Sequence, residues 1–353
     1  MQPIKNSASP IPVSPTPSTV KRLKSLIRRG GGWLLKACFA LSFLYGLGVS
    51  LITVLHFTGG ERWVWMSLVN SFIHWLWLLA IPLWFFLILF KRWRLSLVLI
   101  LPLFAFGMVY GLRFLPRPAA VTSDVEPLKI LSFNTFMMRR QSSIDQLAEL
   151  VRAEGVQVML LQEVPALAET RLYNSFHEIF PYHYFNTYPG TGTAGMAFFS
   201  QYPIVSEEAW LYQLGQQRLE ILIGDQRVVV YNLHLSHPGM AGEGFQPAYR
   251  QAQISDLLSR LERETLPFFI AGDFNLSDGN DDYQRLRAHY RDVYAESGWG
   301  WGLSFMADLP ILRLDYVFIN ADYEALSARV LPDSFGSDHL PLLVEIGLLR
   351  EGA

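Results

Sequence analysis

Three long apolar stretches open the chain, Trp33 to Leu55, Met66 to Phe90 and Leu95 to Leu115. Each is close to the ~20 residues that cross a hydrocarbon core as a helix. Leu76 to Phe90 has no polar face to offer water, so the pattern predicts three transmembrane helices. After Leu115 it changes to short apolar runs, each closed by a polar cluster. Lys129 to Phe133, Val156 to Leu161, Gly195 to Phe199, Leu219 to Ile223, Val228 to Leu233, Phe268 to Ala271, Val317 to Ile319 and Leu342 to Ile346 read as strands. Gly224-Asp225 supplies a hairpin turn, and Ser143 to Glu154 and Gln251 to Arg263 have helical spacing. Mixed strand and helix over roughly 230 residues suits one α/β domain around a layered core.

Charge divides the chain at the same place. Of the 353 residues, the first 119 carry 13 Lys/Arg against one Asp/Glu, and the remainder carries 16 against 30, leaving the second part at −14. Residues 1–32 read as a disordered basic tail, 33–115 as the three membrane helices, 116–127 as a Pro-containing linker and 128–353 as the globular domain. Lys21, Arg22, Lys24, Arg28 and Arg29 precede the first helix, and Lys91, Arg92 and Arg94 join the second to the third, which places both segments on the cytoplasmic side. Three crossings then leave the domain extracytoplasmic, held in the plasma or inner membrane. Trp63, Trp65, Trp75, Trp77, Trp84 and Trp93 include candidate interface anchors. The single cysteine, Cys38, lies in the first apolar stretch, which excludes an intramolecular disulfide and a Cys-ligated zinc site.

The polar clusters carry the chemistry. They are Leu131-Ser132-Phe133-Asn134, Leu161-Gln162-Glu163, Asn232-Leu233-His234-Leu235, Gly272-Asp273-Phe274-Asn275, Leu314-Asp315-Tyr316 and Ser337-Asp338-His339-Leu340-Pro341. Carboxylates, carboxamides and imidazoles at strand ends are the groups that metal-assisted phosphoester hydrolysis has to bring together. Glu163 is a hard oxygen ligand suited to Mg²⁺. Asp273 and Asn275, two apart in extended chain, project to one side, where one can take a proton and the other can donate to a phosphate oxygen. His339 can supply charge or a proton if a carboxylate fixes its other nitrogen.

In this order the clusters resemble the endonuclease/exonuclease/phosphatase superfamily, which includes deoxyribonuclease I-like nucleases, neutral sphingomyelinases and inositol polyphosphate 5-phosphatases. The resemblance spans about Leu128 to Ile346. It implies a four-layer α/β sandwich, two face-to-face β-sheets flanked by helices. It also implies catalytic roles for His339, Asp273, Asn275, His234 and Asp315, substrate binding by Asn134, Asn232 and Arg250, and metal binding by Glu163, Asn134 and Asp338. The implied cofactor is Mg²⁺, with Mn²⁺ as a substitute. His177, His183 and His289 match no motif, and His237 reads as peripheral. Gln201, within Phe199-Ser200-Gln201-Tyr202-Pro203, stands where a cation is common in the family.

The expected activity is hydrolysis of a phosphoester by metal-activated water, by a membrane-embedded phosphodiesterase acting on DNA, RNA or a phospholipid headgroup. The alternatives are a phosphomonoesterase on a soluble or inositol-type phosphate and, from another class, a catalytically silent membrane receptor for a phosphorylated ligand. A domain at −14 with Lys129 as its one lysine is poorly matched to sequence-independent nucleic-acid binding, which depends on cations meeting phosphates. No obligate protein partner is implied.

Overall fold

The computed structural model describes residues 17–115, 125–138, 140–188, 192–212, 214–239 and 245–349. The N-terminal helical part comprises α1 (Pro17–Gly59), α2 (Val64–Ser71), α3 (Ile73–Leu89), α4 (Trp93–Ser96) and α5 (Ile100–Tyr110). Two helical segments, Gly32–Gly59 and Trp93–Phe114, are long and apolar enough to cross a membrane. The middle stretch is different. It bends by 58° between α2 and α3, so it makes a third span only if the bent pair is counted as one. The bend lies where the apolar pattern yields to Asn70 and His74, both buried and hydrogen-bonded, which ties this end of the stretch to polar partners. Helix α1 begins at Pro17, inside the segment expected to be disordered, and residues 1–16 lie outside the described residues. The first strand begins at Val125, so only 116–124 remain of the expected linker, and they too lie outside the described residues.

The globular part is two six-stranded sheets packed face to face. One runs β11-β12-β1-β2-β4-β3, from β1 (Val125–Asn134), β2 (Val158–Gln162), β3 (Tyr182–Asn186), β4 (Met196–Ser200), β11 (Tyr323–Val330) and β12 (Leu342–Leu349). The other runs β5-β6-β7-β8-β10-β9, from β5 (Ile204–Tyr212), β6 (Leu214–Ile223), β7 (Gln226–His234), β8 (Phe268–Asp273), β9 (Arg291–Asp292) and β10 (Asp315–Ile319). Each sheet has a parallel pair at its centre, β1 with β2 and β7 with β8. Parallel neighbours need a crossover, and those crossovers carry α6 (Gln141–Glu154) and α8 (Ala248–Leu261). Helices α7 (Glu169–Phe176), α9 (Asp281–Arg287) and α10 (Val293–Ser297) complete the set.

Three apolar layers hold this together. Ile130, Val158, Phe198, Leu219, Val230, Phe269 and Val317 interdigitate between the sheets. Ile144, Leu147 and Val151 of α6 cover the outside of the first sheet, and Ile254, Leu257 and Leu261 of α8 the outside of the second. The strand-end geometry has one point without slack. Gly272 sits at φ +146, and a Cβ there would run into the Leu233 backbone of the neighbouring strand. Gly155, which caps α6 at φ +66, has open space around it. We therefore expect Gly272→Ala to cost about 3 kcal/mol or more, from clash and backbone strain together. Gly155→Ala should lose only the ~1–2 kcal/mol of a left-handed residue. Thermal unfolding of the full chain in detergent measures both.

Candidate active site

Strand register assembles the site. His234 at the end of β7 lies opposite Asp273 at the end of β8, and Asp273 lies opposite Asp315 at the start of β10. On the other sheet Asn134 ends β1 beside Gln162, with Glu163 following. The two ends meet through the Asn134 amide, which donates to Asp273 Oδ2 at 2.9 Å and to Glu163 Oε1 at 3.2 Å. Ser337, one residue before Asp338, donates to the Asn134 carbonyl at 2.8 Å and accepts from the His339 amide at 3.0 Å, which fastens the last motif to the first.

The loops around the site are held in unusual backbone. Of seven non-glycine residues with positive φ among the described residues, six fall in loops that carry or flank the motifs: Phe136, Met137, Glu163, Asn275, Met306 and Phe335. Left-handed backbone costs a side chain ~1–2 kcal/mol and persists only where surrounding contacts dictate it. At Asn275 those contacts are its own amide to Asp273 Oδ1 at 2.9 Å, its side chain to the Leu235 carbonyl at 2.9 Å, and Arg250 Nη1 on its carbonyl at 2.5 Å.

Burial sets the protonation states. It opposes charge on His339, yet the Asp315 carboxylate 2.9 Å from Nδ1, with Asp273 beyond Nε2, outweighs it and pushes the imidazole up to about 10. His234 goes the other way, because burial pulls it down and leaves it neutral. Its Nδ1–H donates to the Thr193 carbonyl at 3.2 Å, so Nε2 is bare and stands 3.7 Å from both Glu163 and Asp273. Burial pushes Glu163 up to about 7, with Asp273 and Asp338 adding to the rise against the Asn134 hydrogen bond and His339. Asp338 is raised by burial as well.

A carboxylate pushed up by desolvation and by other carboxylates is a group a divalent cation relieves. Glu163 Oε2 and Asp338 Oδ1 are buried and accept no hydrogen bond among the described residues, so both have a lone pair to offer. With the Asn134 carboxamide they form an oxygen-rich donor set that fits a hard ion. Asp273, Asp315 and His339 also offer ligand atoms within 4.8 Å of one another. A protonated imidazole has no lone pair to give, so that trio is better described as a charged dyad beside a carboxylate.

Not every expected residue reaches this cleft. Asn232 is fully buried between the sheets, where its amide donates to Gln217 at 2.9 Å and its oxygen accepts from Gln162 at 2.8 Å. It ties sheet to sheet and cannot touch substrate. Arg250 is 1% exposed, with Nη1 on the Asn275 carbonyl and Nε 3.7 Å from Asp282, so it shapes the loop from inside the protein. Gln201 lies at the far end of β4, since Val158 pairs with Ser200 while Gln162, at the site end, pairs with Met196. It takes no part. Sequence reasoning passed over Ser337, although it stands inside a quoted motif, and Ser304, whose Oγ accepts from the Asp315 amide at 3.3 Å and which no pattern marks.

A face-to-face α/β sandwich with these groups at its strand ends defines a metal-dependent phosphoester hydrolase. The chain matches the Endonuclease/Exonuclease/phosphatase family over residues 131–339, and it belongs to that family. No curated protein matches it. Solved structures of the same fold include an endonuclease/exonuclease/phosphatase from Bacteroides vulgatus, at 16% identity and TM-score 0.53, covering 63% of this chain and 99% of that one. A family protein from Leptotrichia buccalis gives 20% and 0.52, covering 62% and 99%. A humanized D. rerio TDP2 gives 14% and 0.51, covering 62% and 98%. At such identities the likeness is one of fold.

The His339–Asp315 pair predicts a measurable shift. A raised imidazole adds stability that is fully present below its ordinary value near 6.5 and is lost as pH rises through about 10. Asp315→Asn removes the strongest raising partner, so the His339 midpoint should fall toward ~6.5. Imidazole NMR titration of both proteins in EDTA checks it, and an unmoved midpoint would contradict the pairing.

Proposed function

We propose that this chain is a membrane-held, Mg²⁺-dependent phosphodiesterase that cleaves the headgroup ester of a phospholipid on the extracytoplasmic face. In this reading the bent pair counts as one of three passes and the basic segments lie in the cytoplasm, which leaves the domain on the opposite face. The observation that carries the lipid reading is apolar surface beside a polar cleft. Phe136, two residues after Asn134, is 47% exposed, and Leu167, four after Glu163, is 89% exposed. Met306 and Leu309 are 45% and 70% exposed, in the loop whose Phe305 packs against the His339 ring. The same loop reaches the membrane part, for the Ile311 carbonyl accepts from Trp75 Nε1 at 2.8 Å and contacts His74 Nε2 at 3.1 Å. Apolar side chains beside a catalytic cleft and next to membrane helices suit an amphiphile better than a free polyanion.

In this reading Glu163, Asn134 and Asp338 hold Mg²⁺. The ion supplies polarisation of the phosphoryl oxygens and a more acidic water. Asp273, kept in place by Asn134 and Asn275, would orient an attacking water and take its proton as its oxygen bonds to phosphorus. Asn275 helps to place the water and the phosphate. His339, charged and held by Asp315, stabilises the extra negative charge on the phosphorane. His234 presents a bare Nε2, and an arriving phosphate is the anionic partner that favours its charged form. It then donates to the leaving oxygen as the P–O bond breaks.

The test is release of headgroup from phospholipid nanodiscs by the full chain. We expect turnover that needs Mg²⁺, stops in EDTA and returns with Mg²⁺ or Mn²⁺. His339→Ala should lower kcat by ~10²–10⁴, and Glu163→Gln should raise the Mg²⁺ concentration needed. Nicking of supercoiled plasmid without headgroup release would move the substrate to nucleic acid, and activity on soluble monoesters alone would favour the phosphatase alternative. Ligand binding without any turnover would favour the silent receptor.

A further inference from the structure

The loop that carries Asn275 does not lie on the surface. Connecting segments almost always do, since a buried one must find partners for its backbone. Yet every residue from Phe274 to Asn280 is buried, and much of what covers them comes from the outer ends of the membrane helices. Asp278 accepts from Arg113 Nη1 at 2.6 Å and from the Tyr110 hydroxyl at 3.0 Å, with 5% and 4% of the Asp278 and Arg113 side chains exposed. Ser277 Oγ donates to the Asn70 carbonyl at 3.4 Å. Asn280 donates to Glu61 Oε1 at 2.6 Å and to the Ser67 carbonyl at 2.9 Å, and Asp281 accepts from the Glu61 amide at 2.7 Å. A Cβ on Gly279 would run into the Asn70 carbonyl and the Ile73 side chain, so only glycine permits this approach.

From the other side the domain grips the same loop. Arg313 stands 4.0 Å from Asp278 and forms a 2.5 Å pair with Asp292, and Arg250 holds the Asn275 carbonyl. Asp278 is three residues from Asn275, about 10 Å of chain at full extension. Within that span the Ser277 amide donates to Asn280 Oδ1 at 2.8 Å and Gln284 donates to the Asp278 carbonyl at 3.1 Å, which leaves little slack to absorb a shift. A buried ion pair contributes little net stability, because desolvation offsets its attraction, and its best-attested use is to select one arrangement.

We propose that the outer ends of the membrane helices are a working part of the active site. Arg113, Tyr110 and Glu61 hold the loop at Asp278, Asn280 and Asp281 and thereby set Asn275 and Asp273 for attack on phosphorus. They are positioning residues. They act through the loop and touch no substrate. The inference rests on the hydrolytic roles assigned above to Asp273 and Asn275.

The test uses the full chain in nanodiscs with bis(p-nitrophenyl) phosphate and Mg²⁺, a soluble probe that needs no help from a bilayer. Arg113→Ala leaves the Asp278 carboxylate buried without its main partner and should lower the unfolding midpoint; assayed below that midpoint, where it is folded, it should lose about 10- to 100-fold in kcat, as misplacement on the ångström scale does, with KM nearly unchanged. Arg113→Lys should recover part of the loss. Amide hydrogen exchange across residues 273–281 should rise in Arg113→Ala and fall back in the lysine variant. If Arg113→Ala does not fold, Tyr110→Phe, which removes one hydroxyl from Asp278, should move kcat and exchange in the same direction. A folded Arg113→Ala, or in its place Tyr110→Phe, with wild-type kcat and unchanged exchange overturns the proposal. If wild type hydrolyses no diester, the hydrolytic reading fails separately, and exchange alone decides whether the membrane helices set the loop.

Discussion

The lateral register of β7, β8 and β10 is the constraint on which the site depends. His234, Asp273 and Asp315 are far apart in sequence, yet they lie side by side because backbone hydrogen bonds fix which residues pair. Side chains alternate faces with a period of two, so a slip of one residue would turn any of the three away from the others. The Leu233 backbone against Gly272 admits no side chain there. The second sheet is brought into register with the first through the Asn134 amide between Glu163 and Asp273, and deeper in through Gln162 and Asn232.

Charges accumulate on that scaffold in a way that separates roles. Two histidines a few ångströms from the same Asp273 are shifted in opposite directions, because burial pulls His234 down while the Asp315 carboxylate beside His339 outweighs it. Burial pushes Glu163 up to about 7, and its second oxygen accepts no hydrogen bond among the described residues. Buried groups in this condition raise the energy of the empty site and give a divalent cation something to relieve. The left-handed residues at Glu163 and Asn275 store further strain at the same place.

How far the sequence disclosed this follows from burial. The strands read from hydrophobic pattern, β1, β2, β4, β6, β7, β8, β10 and β12, are the interior members of the two sheets. The strands it did not yield, β3, β5, β9 and β11, are the four edges. An edge strand has one hydrogen-bonded neighbour, and β5 with Ser206, Glu207 and Glu208 exposed carries no clear alternation to read. The motif residues were visible because chemistry restricts their type, and that reasoning brought Asn134, Glu163, His234, Asp273, Asn275, Asp315 and His339 to one cleft. It misplaced Asn232 and Arg250, which are buried inside the protein. It was silent on Arg113, Glu61 and Asp278, because a contact between an N-terminal helix and a loop some 165 residues later leaves no local pattern.

The contact between Arg113 and Asp278 also has a concentration attached to it. Only about ten residues separate Phe114 from Val125, so the domain is tied close to the surface it docks on. A short tether makes docking an intramolecular event at an effective concentration on the order of millimolar. Under that condition a surface of modest intrinsic affinity stays occupied, here one that joins hydrogen bonds and ion pairs to an aromatic cluster in which Trp301 packs against Trp75, Phe106, Tyr110 and Phe114. The same surface offered by a separate molecule at micromolar concentration would stand mostly empty, so covalent continuity across this junction does the work that tight binding does in a permanent complex.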